Sequence, residues 1–331
     1  MHTGSDGLSN AAEAQGTSSG WDVYWQGMRG NPAHKEGGTH QAPLQQLWRE
    51  LFSDSRYATG QPRCLELACG SGAVSAQAAA VSPALALTCT DVSASALQLA
   101  GASLPGATLV VADAGKLPFR PQSFELVFSQ FGVEYAGTAA MQEAASMVAP
   151  GGQLALVVHM ADGAIYREYA VNLEAVEALR DAEVLSLARG AFVAGYALNG
   201  GTGSVAAFKA AEQAFQPAVR SLEAIFRRYG EAVADGLPRQ LYRDIAHMYP
   251  RMSAYQPQDI FSWLDTMATE LDAYEVRLTS MLNSAMDEAS VQAFTAACAG
   301  SGLTVQRREV LQMGEPESPS GWLLVLERVA A

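Results

Sequence analysis

The sequence predicts an α/β fold, a doubly wound and mostly parallel sheet carrying a helical insertion that forms a lid. Three observations predict it. An apolar run of Cys64, Leu65 and Leu67 around Glu66 breaks into a turn with Gly70 and Gly72 before an alanine-rich segment starting near Ala73. Two more apolar runs each stop at an acid, Leu85–Thr90 at Asp91 and Thr108–Ala112 at Asp113. Helical periodicity then fills the stretch from about Ile165 to Met286 before a strand pattern returns.

Taken in order, Met1–Gly20 is mostly Gly, Ser, Thr, Ala and Asn without the apolar core of a secretory signal, and is expected as a flexible arm. Trp21 opens an aromatic, helical segment, WDVYWQGM, and a helix over Ala42–Phe52 precedes the first strand. In that strand Glu66 projects from the carboxyl end, and Gly70 and Gly72 allow backbone conformations and close ligand approach that a Cβ would forbid. Strand, tight turn and helix amino terminus together make the first half of a doubly wound sheet, whose ligand crevice lies outside the carboxyl ends of the strands. Acids there can accept hydrogen bonds from ribose hydroxyls or an adenine amine; Asp91 and Asp113 equally suit helix amino-terminal caps. The dinucleotide fingerprint G-x-G-x-x-G would need glycine where Ser75 stands, so a cofactor without a pyrophosphate fits better.

The insertion shows three one-faced series: Ile165, Tyr169, Leu173, Val176 and Leu179; Phe208, Phe215, Val219, Leu222 and Phe226; Ile260, Leu264, Met267, Leu271, Tyr274 and Leu278. Breaks fall at Asn199–Gly203 and near Pro238, Pro250 and Pro257. A helix over Val291–Ala299 and two strands, LTVQRREVLQ and WLLVLERV, follow. The expected organisation is an arm over 1–20, helices and the first part of the cofactor domain over 21–160, the insertion over 161–287, and the completion of the domain over 288–331.

With 21 basic against 34 acidic residues, a formal charge of -13, the chain lacks the positive field that nucleic-acid binding needs. No stretch approaches membrane-helix length. Cys64, Cys69, Cys89 and Cys298 have no metal-ligand spacing and suit a reducing cytoplasm, so no metal is expected.

These residues resemble the class I S-adenosylmethionine-dependent methyltransferase family. Its first motif reads here ELACGSG, with Ala68 at a position often held by glycine; Asp91 looks like the ribose-binding acid, Val92 like the residue on the adenine face, and Asp113 with Ala114 like the adenine loop. SFELVFSQFGVEYA is similar to strand four and the segment beneath the methionine moiety, with Gln130 at the strand end, and APGGQLALVV to the turn into strand five. The resemblance implies a seven-stranded Rossmann-like sheet closed by antiparallel strands six and seven. It also implies S-adenosyl-L-methionine as cofactor, held by Glu66, Ala68, Gly70, Gly72, Asp91, Val92, Asp113, Ala114, Gln130 and Tyr24.

Methyl transfer from a sulfonium is an in-line displacement that needs positioning and exclusion of water, and a base only where the accepting atom carries a proton. Aromatic faces stabilise a nearby cation, which makes Tyr24, Trp25, Phe131 and Tyr135 candidate neighbours of the sulfonium. His159, in VVHMADG, stands where an imidazole could take a proton from the acceptor or orient it, or simply bond a neighbouring backbone carbonyl. Strand four ends in SQFG, not in the Asn/Asp-Pro-Pro-aromatic motif of amide and nucleobase amine methylation. The expected substrate is therefore a small organic molecule, with no nucleic acid and no membrane as partner and a homodimer left open. A protein side-chain acceptor and a catalytically silent cofactor-binding partner stay as alternatives.

Overall fold

A computed structural model describes residues 21, 22, 24–26, 42–314 and 317–330. The arm expected over 1–20 lies outside the described residues. The chain divides into two compact units, Met1–Arg167 with Ser280–Ala331, and Glu168–Thr279.

The first unit is built on one seven-stranded sheet of order β3-β2-β1-β4-β5-β7-β6. Its strands are β1 Arg63–Leu67, β2 Ala86–Asp91, β3 Thr108–Val111, β4 Phe124–Gln130, β5 Val148–His159, β6 Leu303–Met313 and β7 Ser318–Arg328. Strands β1 to β5 pair in parallel, and β7 pairs antiparallel with both β5 and β6. The central strands are buried on both faces, which is why they read as nearly continuous apolar runs. Along β5, Leu154, Leu156 and Val158 enter one core while Ala155 and Val157 enter the other; along β7, Trp322, Leu324 and Leu326 alternate with Leu323 and Val325 in the same way.

Helices cover each face. Met141 and Ala144 from Gly137–Ser146, with Val291, Phe294 and Cys298 from Glu288–Gly300, complete the first core. Leu44, Trp48 and Phe52 from Ala42–Phe52, Val74 and Ala78 from Ala73–Val81, and Leu97 from Ala94–Ser103 complete the second. Each fully buried leucine or phenylalanine in these layers contributes about 1.5–3 kcal/mol. Residues 21, 22 and 24–26 are helical, as their aromatic pattern predicts.

The insertion expected over 161–287 differs from the second unit at its margins. Met160 bridges Met286, the Ala161 N–H donates to the Met286 carbonyl at 3.0 Å, and Ile165 packs into the sheet core, so these residues belong to the first unit. The second unit has its own core, in which Phe215, Leu222, Ile260, Leu264, Leu271 and Leu278 are buried. Its helices break where the sequence predicts. Val184–Asn199 ends before the glycine run, Pro238 stands in the first turn of Leu237–Met248, and Pro257 opens Pro257–Ser284. Among the described residues no helix is long and apolar enough to cross a membrane.

Candidate functional site

At the carboxyl ends of β1 to β4 lies a cavity of about 410 Å³, within the range of about 300–1,000 Å³ common for small-ligand pockets. Ala68, Gly70, Asp91, Val92, Asp113 and Ala114 line it together, and Trp21, Trp25, Ala112, Phe131, Gly132, Tyr135 and Ala136 complete its wall.

The turn after β1 explains how. Ala68, Gly70 and Gly72 have φ of 49°, 53° and 76°, the left-handed region that a Cβ disfavours. Gly70 is required twice, because a Cβ there would also stand 2.5 Å from the Trp25 indole. Ala68 holds its conformation with a Cβ, at a strain of about 1–3 kcal/mol of the kind that collects at ligand sites.

Asp91 holds this turn from the next strand. Its Oδ2 accepts the Gly70 N–H and its Oδ1 the Ser93 N–H, each at 2.9 Å. Burial raises its carboxyl above the usual range, against the pull of these two N–H donors. Helix capping, the other role open to Asp91, falls to Ser93, whose hydroxyl accepts the Ala96 N–H at 3.1 Å. Both Asp91 oxygens retain lone pairs for a ligand hydroxyl. Asp113 is exposed, and its Oδ1 accepts the Gly115 N–H at 2.8 Å.

Five expected residues stand outside the cavity wall. Glu66 is 3% exposed and lies beneath the turn, where its Oε2 accepts from the Ser75 hydroxyl and, at 3.2 Å, from the Ser75 N–H in the first turn of helix Ala73–Val81. Desolvation raises its carboxyl well above the ordinary range, so it secures the helix start from inside and does not reach the cavity. Gly72 is the amino-terminal cap of that helix and packs on Leu104 and Ala100. Gln130 accepts the Trp48 indole N–H at 2.6 Å, away from the crevice. Tyr24 packs edge-on against Trp21 and Trp25, which reach the cavity in its place.

His159 is 4% exposed and sits behind the wall. Its Nδ1 is 2.8 Å from Glu134 Oε1, which also accepts the His159 backbone N–H at 3.1 Å. The rings of Phe131 and Tyr135, both wall residues, lie 4.4 and 5.7 Å from the imidazole. Phe131 is itself left-handed, with φ of 50°. Glu134 is the residue that sequence reasoning misses. An acid in the short helix Val133–Ala136 has no motif of its own, and only the adjacency of β4 and β5 brings it to the end of β5. Among the described residues, no group of three or more His, Cys, Asp or Glu side chains could hold a metal ion.

Residues 64–152 match the family model of a methyltransferase domain. No curated protein matches the chain. Solved structures similar to it include a chain of a complex between a Haloferax volcanii methyltransferase activator and a methyltransferase, at 19% identity over 42% of this chain and 59% of that one, with a TM-score of 0.34. An S-adenosylmethionine-dependent methyltransferase from Mesorhizobium loti is 25% identical over 31% of this chain and 48% of its own, with a TM-score of 0.28. An O-methyltransferase family protein from Burkholderia thailandensis is 18% identical over 35% and 38%, with a TM-score of 0.31. The chain thus spans between 38% and 59% of these structures, and scores of this size carry no argument about substrate. Residues 64–152, which hold the glycine turn, Asp91 and Asp113, therefore form a methyltransferase domain.

Proposed function

We propose that this protein transfers a methyl group from S-adenosyl-L-methionine to a small organic molecule. The observation that carries the reading is the convergence of Gly70, Asp91, Asp113 and Ala114 on one cavity at the carboxyl edge of the sheet. Such a cavity suits a nucleoside. Asp91 offers buried acceptors to ribose hydroxyls, the exposed Asp113 and Ala114 flank an adenine position, and Gly70 lets a ligand approach the backbone. The turn, with Ser75 in place of a third glycine, supports a donor without a pyrophosphate.

When bound, the cofactor supplies an electrophilic methyl on a sulfonium. The chain's own task is to align the acceptor with it and to exclude water. The aromatic wall of Trp21, Trp25, Phe131 and Tyr135 supports both water exclusion and attraction of a cation. His159 enters this reading as a positioning residue, since its ring is packed behind Phe131 and Tyr135 and tied to Glu134. The four cysteines are free and buried, which supports a reducing, cytoplasmic setting.

Calorimetric titration with S-adenosylmethionine and, side by side, NAD tests the cofactor assignment. Binding of the first alone is expected, and preference for NAD overturns the reading. Methyl release on a panel of small hydroxyl, amine and carbon acids then tests the acceptor class, and turnover confined to protein side chains would overturn that part.

A further inference from the structure

We propose that Glu134 sets the preference of the cavity for a positively charged sulfonium over the neutral thioether left after methyl transfer. The proposal rests on the methyl-transfer reading above. The sheet order supplies the direction of the ligand. Acids that suit a nucleoside stand on β2 and just after β3, β1 with its glycine turn comes next, and the aromatic wall follows β4. A molecule with its nucleoside over β2 and β3 therefore extends its sulfur across the β1 turn toward Phe131 and Tyr135.

Behind those rings is a carboxylate with spare capacity. Glu134 is 2% exposed; its Oε1 takes both the Nδ1 and the backbone N–H of His159, and its Oε2 is buried with no hydrogen-bond partner among the described residues. A buried acceptor in that condition is costly and calls for compensation. The short helix that carries it, Val133–Ala136, contributes Tyr135 and Ala136 to the wall, so the carboxylate is next to wall residues in the chain and is joined to them through the His159 ring. His159 fixes the direction of the carboxylate, and its ring backs Phe131 at 4.4 Å. A cation drawn to the aromatic faces gains further from a negative charge behind them, where little water screens it. A neutral thioether gains nothing from that charge, so Glu134 favours release of the spent cofactor and entry of the charged one.

Calorimetric affinities of S-adenosylmethionine and S-adenosylhomocysteine for the full-length wild type, Glu134→Gln and Glu134→Asp test this. The carboxamide replaces the carboxylate with a neutral group of the same shape, and the aspartate retains a carboxylate. The expected result is that Glu134→Gln lowers the sulfonium-to-thioether affinity ratio by about fivefold, with thioether affinity within about twofold of wild type, and that Glu134→Asp preserves the ratio. Equal losses for both ligands, or an unchanged ratio in Glu134→Gln, would overturn the proposal. Because the neutral ligand is measured on the same sample, misfolding shows as loss of both and counts against it. Failure of the wild type to bind either ligand would instead bring down the methyl-transfer reading itself.

Discussion

Asp91 Oδ2 and the Gly70 N–H are joined at 2.9 Å, so an acid at the end of β2 fixes the turn that follows β1. One carboxylate is thus a brace for the backbone and a wall of the cavity.

Asp91→Ala removes the acceptor for two buried N–H groups, those of Gly70 and Ser93. Unfolding free energy is expected to fall by about 2 kcal/mol, and S-adenosylmethionine affinity by tenfold or more, about 1.4 kcal/mol. Chemical denaturation and calorimetry on the same sample check both; a stable protein with wild-type affinity contradicts the assignment.

Gly70→Ala places a Cβ at a φ of 53° and 2.5 Å from the Trp25 ring. The indole must leave the turn, so Trp25 fluorescence, read in a background where the other tryptophans are phenylalanine, is expected to shift to the red as cofactor affinity drops. An unshifted spectrum would show that the indole does not rest on Gly70.

Glu66 and Asp91 both have carboxyls raised above their ordinary values, by burial first of all. The folded state therefore holds protons that the unfolded state gives up, and stability from these groups is present below the ordinary carboxyl range and is lost as pH rises through the raised values. Glu66→Gln keeps an acceptor for Ser75 and has no proton to lose. Its melting temperature is expected to exceed that of the wild type at neutral pH, with the gap closing toward pH ~4. A gap that widens on acidification would reverse the sign argued here.

Arg328 is buried, and its guanidinium donates to the carbonyls of Val148, Ser301 and Ala145 at 2.7, 2.8 and 2.9 Å. Arg328→Met leaves three carbonyls without their donor, and a loss of about 3–5 kcal/mol is expected from urea unfolding. The cavity lies at other residues, so cofactor affinity of the folded fraction should hold.

The sheet was legible in the sequence because parallel strands buried on both faces leave apolar runs, and because the turn and the two strand-end acids are local in the chain. Ala68, Gly70, Asp91, Val92, Asp113 and Ala114 meet at the cavity for that reason. The side-chain direction of Glu66 was not legible, since a strand-end acid can face a ligand or the start of the next helix, and only Ser75 decides which. The hydrogen-bond partners of Gln130 and His159 were not legible either. Each partner, Trp48 for one and Glu134 for the other, comes from a different element. Tyr24 shared its segment with two tryptophans, and no periodicity in so short a stretch separates which ring faces inward.

The antiparallel placement of β7 against β5 has a consequence for synthesis on the ribosome. β5 emerges well ahead of the strand that covers its outer side, and the whole second unit is made in between. Until Ser318–Arg328 arrives, that flank of the nascent sheet displays unpaired backbone groups and apolar side chains. Chains released early, before Ser318, are expected to be captured by chaperones or to aggregate, even though the cofactor turn and the helices of the second unit are already complete.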